Sequence, residues 1–529
     1  MGLVVGKFKC CSVPDFSAGR GRDGCDEPRS RASAAGGFKY HAGRNHDSAM
    51  RPAQFQPGFL LLLLLFATAT AGAQRLPDTV AAALKRSQVP PSAVSIYVQG
   101  VDAAKPLLAH NAAQAMNPAS TMKLLTTYAA LELLGPSYTW KTEAYAAGKL
   151  QGDTLQGDLV LKGYGDPKLT LEDFWLLLRR LRALGLRDIR GDLVQDRSYF
   201  EAPPHDPGKF DGEPLRAYNV GPDALLLNFK AVRFQFVPDA DSGRVSVIAE
   251  PRPAGLDFSA SVRAGDGPCG DWRAGISADF HSNGASAKAS FTGSMPASCG
   301  EHYWNASLLA QPDYVYGVFK QLWQELGGTI SGGWRDGTVP ADARLLATGE
   351  SASSAELVRD INKYSNNVMA QQLFLTLGAQ LLGPPGNRER AIQVLRGWLE
   401  QKKLDFPELV IDNGAGLSRE ARISAEHMAR LLLDAWHSAV MPELMSSLPL
   451  VAEDGTMRRR LRYESIAGQA HIKTGSLSNA RTLAGYVLDR RGQRRVVVMF
   501  INHPNAAASR PAQDALLEWV YAGGAGLRN

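Results

Sequence analysis

Ser120 and Lys123 stand three residues apart in the only S-x-x-K sequence of the chain. Residues three apart share a face of a helix, so the Lys123 amine can lie beside the Ser120 hydroxyl. A serine becomes a nucleophile when a base takes its proton, and lysine serves as that base when burial or a second cation lowers its pKa. The alternative makes Ser120 a helix N-cap and Lys123 a solvated surface residue. The pair alone leaves both interpretations open.

Ser365 and Asn367 form the only S-x-N sequence, inside a polar break in the helical pattern of 354–377. The Ser365 hydroxyl could pass a proton between reacting groups, and the Asn367 amide could hold a peptide group of a substrate. An Asn-rich connection between two helices is the alternative. If this pair meets the first motif in space, it supplies a proton relay.

Lys473, Thr474 and Gly475 form the only K-T-G sequence, on a short strand-like segment. Glycine at the third place lets a substrate backbone lie close along that strand. We expect Lys473 to be the second cation that lowers the pKa of Lys123, and Thr474 to hold a substrate carboxylate. An exposed turn is the alternative interpretation.

The residue after this motif, Ser476, offers a backbone N–H that would pair with the N–H of Ser120 as an oxyanion hole. The positive end of a helix at Ser120 would strengthen that site. Each tripeptide arises easily by chance. All three, once each and in this order, predict a serine nucleophile and an amine base in one cleft.

The elements around these motifs predict an α/β protein. Residues 92–99 alternate like a strand, and 120–135 read as a helix that ends at a glycine. Short apolar runs cut by Gly, Asp and Pro indicate β structure from about 150 to 310. A hairpin formed by 482–488 and 495–501 lies near the end of the chain. Because the β-rich block lies between two α/β portions, we predict one α/β domain that is split in sequence by an inserted domain.

The ordered motifs resemble those of penicillin-binding proteins and serine β-lactamases. The long interval between Ser120 and Ser365 narrows the resemblance to D-alanyl-D-alanine carboxypeptidase/endopeptidases of the penicillin-binding protein 4 type, the low-molecular-mass class C penicillin-binding proteins. Ala415 and Gln371 depart from the serine and the acidic residue usual in that family, although neither belongs to the motifs. Further matching segments are 163–167, 223–225 with Asn228, 413–419, 454–457, 471–477 and 483–487.

The resemblance implies a multi-domain α/β fold. A β-lactamase/transpeptidase-like domain would comprise 80–148 and 325–529, split by an inserted β-rich domain of one or two subdomains at 149–324. Such enzymes cut peptidoglycan stem peptides and their cross-links, need no cofactor, and are inhibited covalently by β-lactam antibiotics. The balance between carboxypeptidase and endopeptidase action stays open. A serine β-lactamase, a non-catalytic peptidoglycan-binding relative and a secreted esterase are the alternatives.

The resemblance also assigns roles to individual residues. The implied catalytic residues are Ser120, Lys123 and Ser365. The implied substrate-binding residues are Asn367, Lys473, Thr474, Gly475 and Ser476.

The composition argues against several other classes of function. With 45% hydrophobic and 21% charged residues, the chain is typical of a globular protein. Most of its net charge of +6 comes from 1–73, which hold nine Lys/Arg and five Asp/Glu, so nucleic-acid binding is not predicted. The ten histidines include no H-E-x-x-H, and no phosphate-binding loop is present. Neither a metal nor a nucleotide is therefore predicted.

The first residues indicate export. Residues 1–49 have no apolar periodicity, which favours a disordered or non-native extension. Residues 50–73 combine a basic residue, a short apolar run and a small-residue site, as in a cleaved signal peptide, so we expect a periplasmic protein. Peripheral membrane association and a homo-oligomer stay open. Export favours a disulfide between Cys269 and Cys299, with two unrelated thiols as the alternative.

Overall fold

The computed structural model describes residues 75–201 and 205–524. The predicted extension 1–49 and signal peptide 50–73 lie outside the described residues. Within the two described ranges, helices and strands alternate along the chain, and the α/β class is confirmed. No helix in those ranges is long and apolar enough to cross a membrane.

The elements form three sheets and the helices that cover them. In the described ranges the strands are β1 (Val94–Gly100), β2 (Leu108–His110), β3 (Lys141–Gln151), β4 (Thr154–Gly163), β5 (Asp188–Ile189), β6 (Leu193–Asp196), β7 (Val232–Asp239), β8 (Arg244–Glu250), β9 (Leu256–Gly265), β10 (Ile276–Ser282), β11 (Ala287–Pro296), β12 (His302–Ala306), β13 (Thr329–Ile330), β14 (Trp334–Asp336), β15 (Arg344–Glu350), β16 (Ala470–Leu477), β17 (Ala480–Leu488) and β18 (Arg494–Asn502). The helices are α1 (Asp78–Arg86), α2 (Lys123–Leu133), α3 (Leu171–Ala183), α4 (Gln311–Glu325), α5 (Ser354–Tyr364), α6 (Asn367–Leu382), α7 (Arg388–Gln401), α8 (Ala425–Trp436), α9 (Met441–Ser447) and α10 (Arg510–Tyr521).

An antiparallel five-stranded sheet, in the order β16-β17-β18-β1-β2, brings together strands from both ends of the described chain. Successive side chains of a strand point to opposite faces, and β18 buries both sets. Val496, Val498 and Phe500 pack in a core with α2, α5, α6 and α8, whereas Val497 and Met499 pack in a second core with α1 and α10. This two-sided packing fixes the sheet and leaves β16 at its edge.

Two further sheets occupy the middle of the chain. One has the order β13-β5-β4-β3-β15, with β6 between β4 and β14, and the other has the order β10-β11-β9-β8-β7-β12. They share a core with α3 and α4, in which the Phe291 ring lies edge-on to Phe234 and Phe236. The β-rich structure predicted for 150–310 is confirmed. The first of these sheets extends beyond the limits 149–324, because β3 begins at Lys141 and the sheet also includes β13, β14 and β15. Those limits stay a prediction.

A disulfide joins Cys269 to Cys299. The two cysteines follow β9 and β11, which are parallel neighbours. Parallel neighbours end at the same edge of a sheet, so the loops after them meet. The predicted pairing is confirmed.

Candidate active site

Ser120 lies in a 3-10 turn, Ala119–Met122, that leads directly into α2. The sequence predicts an α-helix from Ser120 onward, but the first turn is tighter because Ala119 adopts a left-handed φ of 46°. The Asn117 side chain fixes this turn. Its Oδ1 accepts a hydrogen bond of 2.9 Å from the Ala119 N–H, and its Nδ2 donates one of 2.8 Å to the Ser418 carbonyl. Ser120 is thereby held at the start of α2 with its side chain partly exposed.

Lys123 is fully buried, so the alternative of a solvated surface lysine is wrong. Its Nζ donates hydrogen bonds to Ser120 Oγ at 3.1 Å, to Asn367 Oδ1 at 2.8 Å and to the Ala415 carbonyl at 2.6 Å. These contacts use all three donors of an ammonium group. Among the described residues, Lys123 has no carboxylate partner. When Lys123 is protonated, no hydrogen-bonded carboxylate therefore compensates its buried positive charge.

The second motif lies where the helical pattern breaks between α5 and α6. Ser365 has a left-handed φ of 57° and ends α5, while the Asn366 side chain caps α6 by accepting a bond of 3.1 Å from the Met369 N–H. The predicted polar break is confirmed. Asn367, the first residue of α6, also donates from Nδ2 to the Tyr218 carbonyl at 3.2 Å. That contact ties α6 to the segment 205–219.

The third motif lies along β16. Lys473 is fully buried, and its Nζ donates to Ser365 Oγ at 2.8 Å and to the Thr474 carbonyl at 2.7 Å. The Thr474 hydroxyl donates to the Thr456 hydroxyl at 2.8 Å. The alternative of an exposed turn is wrong for this motif, because β16 is a regular strand.

Gly475 lies against the turn that carries Ser120. A Cβ built on Gly475 would stand 2.8 Å from the Ser120 amide nitrogen and would overlap the Thr482 hydroxyl. Only a glycine therefore fits where β16 passes the nucleophile. Ser476 follows in β16, pairs with Arg481 of β17, and has an exposed side chain.

Burial lowers the pKa of both amines, and the charge of Lys473 also acts on Lys123. Burial lowers the pKa of Lys473 from 10.5 to about 7. Burial first, and then the positive charge of Lys473, lower the pKa of Lys123 well below its usual value. A lysine shifted in this way is neutral in a larger fraction near neutral pH and can accept a proton.

The sequence interpretation missed three hydrogen-bond acceptors around the motif residues. Ala415 and Tyr218 contribute backbone carbonyls, which any residue type can supply, so no side-chain motif reveals them. Thr456 contributes a hydroxyl beside β16. Asn413 is the one signal that could have pointed to Ala415. Its Oδ1 accepts bonds from the N–H groups of Ala415 at 3.0 Å and Gly416 at 3.2 Å and so shapes the loop.

The structure thus brings the three motifs into one site. Two hydrogen-bonded chains, Ser120–Lys123–Asn367 and Ser365–Lys473–Thr474, lie side by side. Such an arrangement can activate a hydroxyl for attack on a carbonyl and can return the proton to a leaving group. In the parts of the chain that the structure describes, no three His, Cys, Asp or Glu side chains are grouped to hold a metal ion.

The sequence is similar to D-Ala-D-Ala carboxypeptidases over most of its length. The family model of the D-Ala-D-Ala carboxypeptidase 3 (S13) family matches residues 76–522. A D-alanyl-D-alanine carboxypeptidase of an Actinomadura species is 29% identical over 428 residues, which cover 78% of each chain. The D-alanyl-D-alanine carboxypeptidase DacB of Haemophilus influenzae is 24% identical over 395 residues, which cover 74% of this chain and 82% of the relative.

A solved structure shows the same fold. The crystal structure of penicillin-binding protein 4 from Haemophilus influenzae aligns with a TM-score of 0.69 at 22% sequence identity, covering 84% of this chain and 100% of that one. The predicted transpeptidase-like domain with an inserted domain is confirmed by this likeness.

Proposed function

The chain belongs to the D-Ala-D-Ala carboxypeptidase 3 (S13) family, and on that premise we propose that it is a serine-type D-Ala-D-Ala carboxypeptidase and DD-endopeptidase. Its substrates are the stem peptides and cross-links of peptidoglycan, and Ser120 carries the acyl group. The observation that carries the proposal is the buried Lys123 amine, 3.1 Å from the Ser120 hydroxyl.

Lys123 acts as the base in acylation. Two of its partners, the Asn367 and Ala415 carbonyl oxygens, can only accept hydrogen bonds. A neutral amine donates to both and keeps its lone pair for the third partner, the Ser120 hydroxyl, which then donates. As Ser120 Oγ attacks the carbonyl carbon of a D-alanyl amide, its proton passes to Lys123 Nζ. The lowered pKa of Lys123 supplies the neutral amine that this step needs.

The N–H groups of Ser120 and Ser476 stabilise the oxyanion of the tetrahedral intermediate. This assignment is supported by Gly475, which brings β16 against the Ser120 amide. Because β16 is the edge strand of its sheet, the substrate backbone can lie along it as an added strand. Such pairing directs the scissile carbonyl between the two donors.

Ser365, which accepts a hydrogen bond from Lys473, donates its hydroxyl proton to the departing amine as the amide C–N bond breaks. The proton that Lys123 took from Ser120 replaces it, so Lys123 is neutral again. Lys473 and Thr474 hold the terminal carboxylate of a carboxypeptidase substrate, and Asn367 holds its peptide group. In a cross-link, the departing amine belongs to a second stem peptide, so the same acyl-enzyme forms. A water molecule, deprotonated by Lys123, then hydrolyses the ester and restores the Ser120 hydroxyl.

β-Lactam antibiotics acylate the same serine in this proposal. Among the described residues, the hydrogen-bond partners of Lys123 are a hydroxyl, an amide and a carbonyl, with no carboxylate to activate water. The amine that is freed when the β-lactam ring opens stays attached to the acyl group, so it keeps the place that the water deprotonated by Lys123 would need. A penicilloyl ester on Ser120 should therefore persist, and without a carboxylate as an additional base for water the site favours a penicillin-binding enzyme over a β-lactamase.

Two measurements test the proposal. Mass spectrometry after penicillin treatment should find one adduct, on the peptide that contains Ser120, and an adduct that survives in Ser120→Ala would refute the assignment. Digestion of purified muropeptide monomers and dimers should release D-alanine from the monomers and convert dimers to monomers. Failure to cleave either substrate would exclude the enzymatic proposal.

We also propose that residues 50–73 direct export to the periplasm, where peptidoglycan lies. The Cys269–Cys299 disulfide supports this, because disulfides persist in oxidising compartments. Amino-terminal sequencing of the native protein should begin at Gln74. A start before Met50 would contradict cleavage.

A further inference from the structure

A loop before β16 pairs with part of the edge of that strand. The Val451 N–H donates a hydrogen bond of 2.9 Å to the Ala470 carbonyl, and the Ile472 N–H donates one of 2.8 Å to the Pro449 carbonyl. Within the described ranges, this loop makes no main-chain hydrogen bond to β16 beyond Ile472. The free edge of β16 therefore begins at the K-T-G motif, and a substrate that lies along this edge meets the loop at that point.

The end of the loop is a short 3-10 turn, Gly455–Met457, which is fixed to the end of α5. Gly455 has a left-handed φ of 53°, and a Cβ built on it would stand 2.6 Å from the Lys363 carbonyl oxygen. The carboxylate of Asp454 accepts a hydrogen bond of 2.7 Å from the Nζ of Lys363, which is buried. Because Lys363 lies two residues before Ser365, these contacts hold the turn beside the second motif.

Thr456, in the middle of this turn, meets the K-T-G motif through its hydroxyl. The Thr474 hydroxyl donates to the Thr456 hydroxyl at 2.8 Å, and within the described ranges neither hydroxyl has another hydrogen-bond partner. Each hydroxyl has one proton to donate and can also accept, whereas the carboxylate that the proposed function places at Thr474 can only accept. When Thr474 donates its proton to that carboxylate, its bond to Thr456 persists only if Thr456 becomes the donor.

We propose that Thr456 is a positioning residue, whose hydroxyl donates to Thr474 Oγ1 and thereby directs the Thr474 proton to the carboxylate of the substrate. The proposal rests on the proposed function, because it is Thr474 that holds this carboxylate. A hydroxyl that accepts one hydrogen bond donates another more strongly, so the pair binds a carboxylate better than Thr474 alone. Thr456 therefore favours substrates with a free carboxylate beside the scissile bond over substrates without one.

The test compares acylation of Ser120 by benzylpenicillin, which has a carboxylate on the carbon next to the β-lactam nitrogen, with acylation by its methyl ester, which has none. The growth of the adduct, followed by mass spectrometry, gives the rates. Thr456→Val should slow acylation by benzylpenicillin about fivefold, the size of one ordinary hydrogen bond, and leave the methyl ester unchanged. Thr456→Ser, which keeps the hydroxyl, should stay close to wild type. Thr292→Val, at an exposed threonine of β11, is the matched control and should change neither rate.

A double substitution separates positioning from direct contact with the carboxylate. If Thr456 acts through Thr474, adding Thr456→Val to the Thr474→Val enzyme should slow acylation by benzylpenicillin little further. Additive losses would overturn the positioning role, because they would show that the two hydroxyls act independently.

An equal loss with benzylpenicillin and its methyl ester in Thr456→Val would overturn the proposal and indicate a structural role for Thr456. An unchanged rate with benzylpenicillin, or a Thr456→Ser enzyme as slow as Thr456→Val, would also overturn it. A wild-type enzyme that both compounds acylate equally fast would remove the carboxylate role of Thr474 and with it the role of Thr456, while acylation of Ser120 would stand. A wild-type enzyme that neither compound acylates would instead contradict the proposed function.

Discussion

The buried amine of Lys473 donates a hydrogen bond of 2.8 Å to the Ser365 hydroxyl, which joins the edge strand of a sheet to the link between α5 and α6. The same amine lowers the pKa of Lys123 through its positive charge. One side chain therefore connects the second and third motifs by a hydrogen bond and reaches the first by its charge. The proton on Lys123 depends on a residue that is far away in sequence.

Replacement of Lys473 by Met should shift the pH dependence of acylation. Loss of the neighbouring cation raises the pKa of Lys123, and only neutral Lys123 can take the Ser120 proton. The acid limb of the acylation rate should therefore move to higher pH, measured with a fluorescent penicillin. Ser365→Ala removes the same hydrogen bond without a change of charge, and its acid limb should stay in place. An unmoved limb in Lys473→Met would contradict the electrostatic coupling.

Lys473 should also make stability depend on pH. Its pKa is about 7 in the folded protein against 10.5 ordinarily, so the unfolded chain binds more protons between these values. The free energy of unfolding of the wild type therefore rises as pH rises from about 7 to about 10.5. Below about 7 the full cost of burying the charged Lys473 amine is present. The free energy of unfolding of Lys473→Met, minus that of wild type, should be largest near pH 6 and shrink towards pH 10. Urea unfolding at the two pH values measures it, with Lys288→Met as the exposed control. A difference independent of pH would show that the buried charge carries no such penalty.

The sequence predicted the reactive side chains better than the main chain around them. The sequence predicts that Ser120, Lys123 and Lys473 take part in one reaction, because their types and spacing fit a nucleophile, its base and a second cation. The structure brings these three residues together. The sequence does not predict the carbonyls of Ala415 and Tyr218 as hydrogen-bond acceptors, because a main-chain acceptor depends on the path of a loop and not on the side chain. The 3-10 turn at Ser120 was missed for a similar reason. It follows from the left-handed backbone at Ala119, which the residue type does not favour.

Replacement of Lys123 by Ala should reduce acylation by penicillin at least about a hundredfold, the usual scale for a general base. The Asn367 and Ala415 oxygens would lose their donor, which costs about 1–3 kcal/mol of stability, and removal of the buried amine offsets part of that cost. Stopped-flow acylation and urea unfolding separate the two effects. Ser120→Ala, which should abolish the adduct with little change in stability, is the matched control. A near-normal rate in Lys123→Ala would mean that another group takes the proton.

Replacement of Gly475 by Ala should disable acylation while the protein stays folded. The new methyl group would meet the Ser120 amide and the Thr482 hydroxyl, so β16 and the nucleophile turn must separate. Displacement of about 1 Å at a reacting group costs about a hundredfold in rate, whereas overpacking costs about 1–3 kcal/mol in stability.

Gly397→Ala provides the matched control, because Gly397 lies inside α7 and a Cβ there has nothing within 4 Å. That change should leave acylation unchanged and stabilise the protein by about 0.5–1 kcal/mol, since alanine favours a helix over glycine. Penicillin acylation rates and unfolding free energies of the two variants decide the matter. If Gly475→Ala acylates as fast as Gly397→Ala, the close approach of β16 to Ser120 is not needed for catalysis, and the oxyanion hole must be formed by other donors.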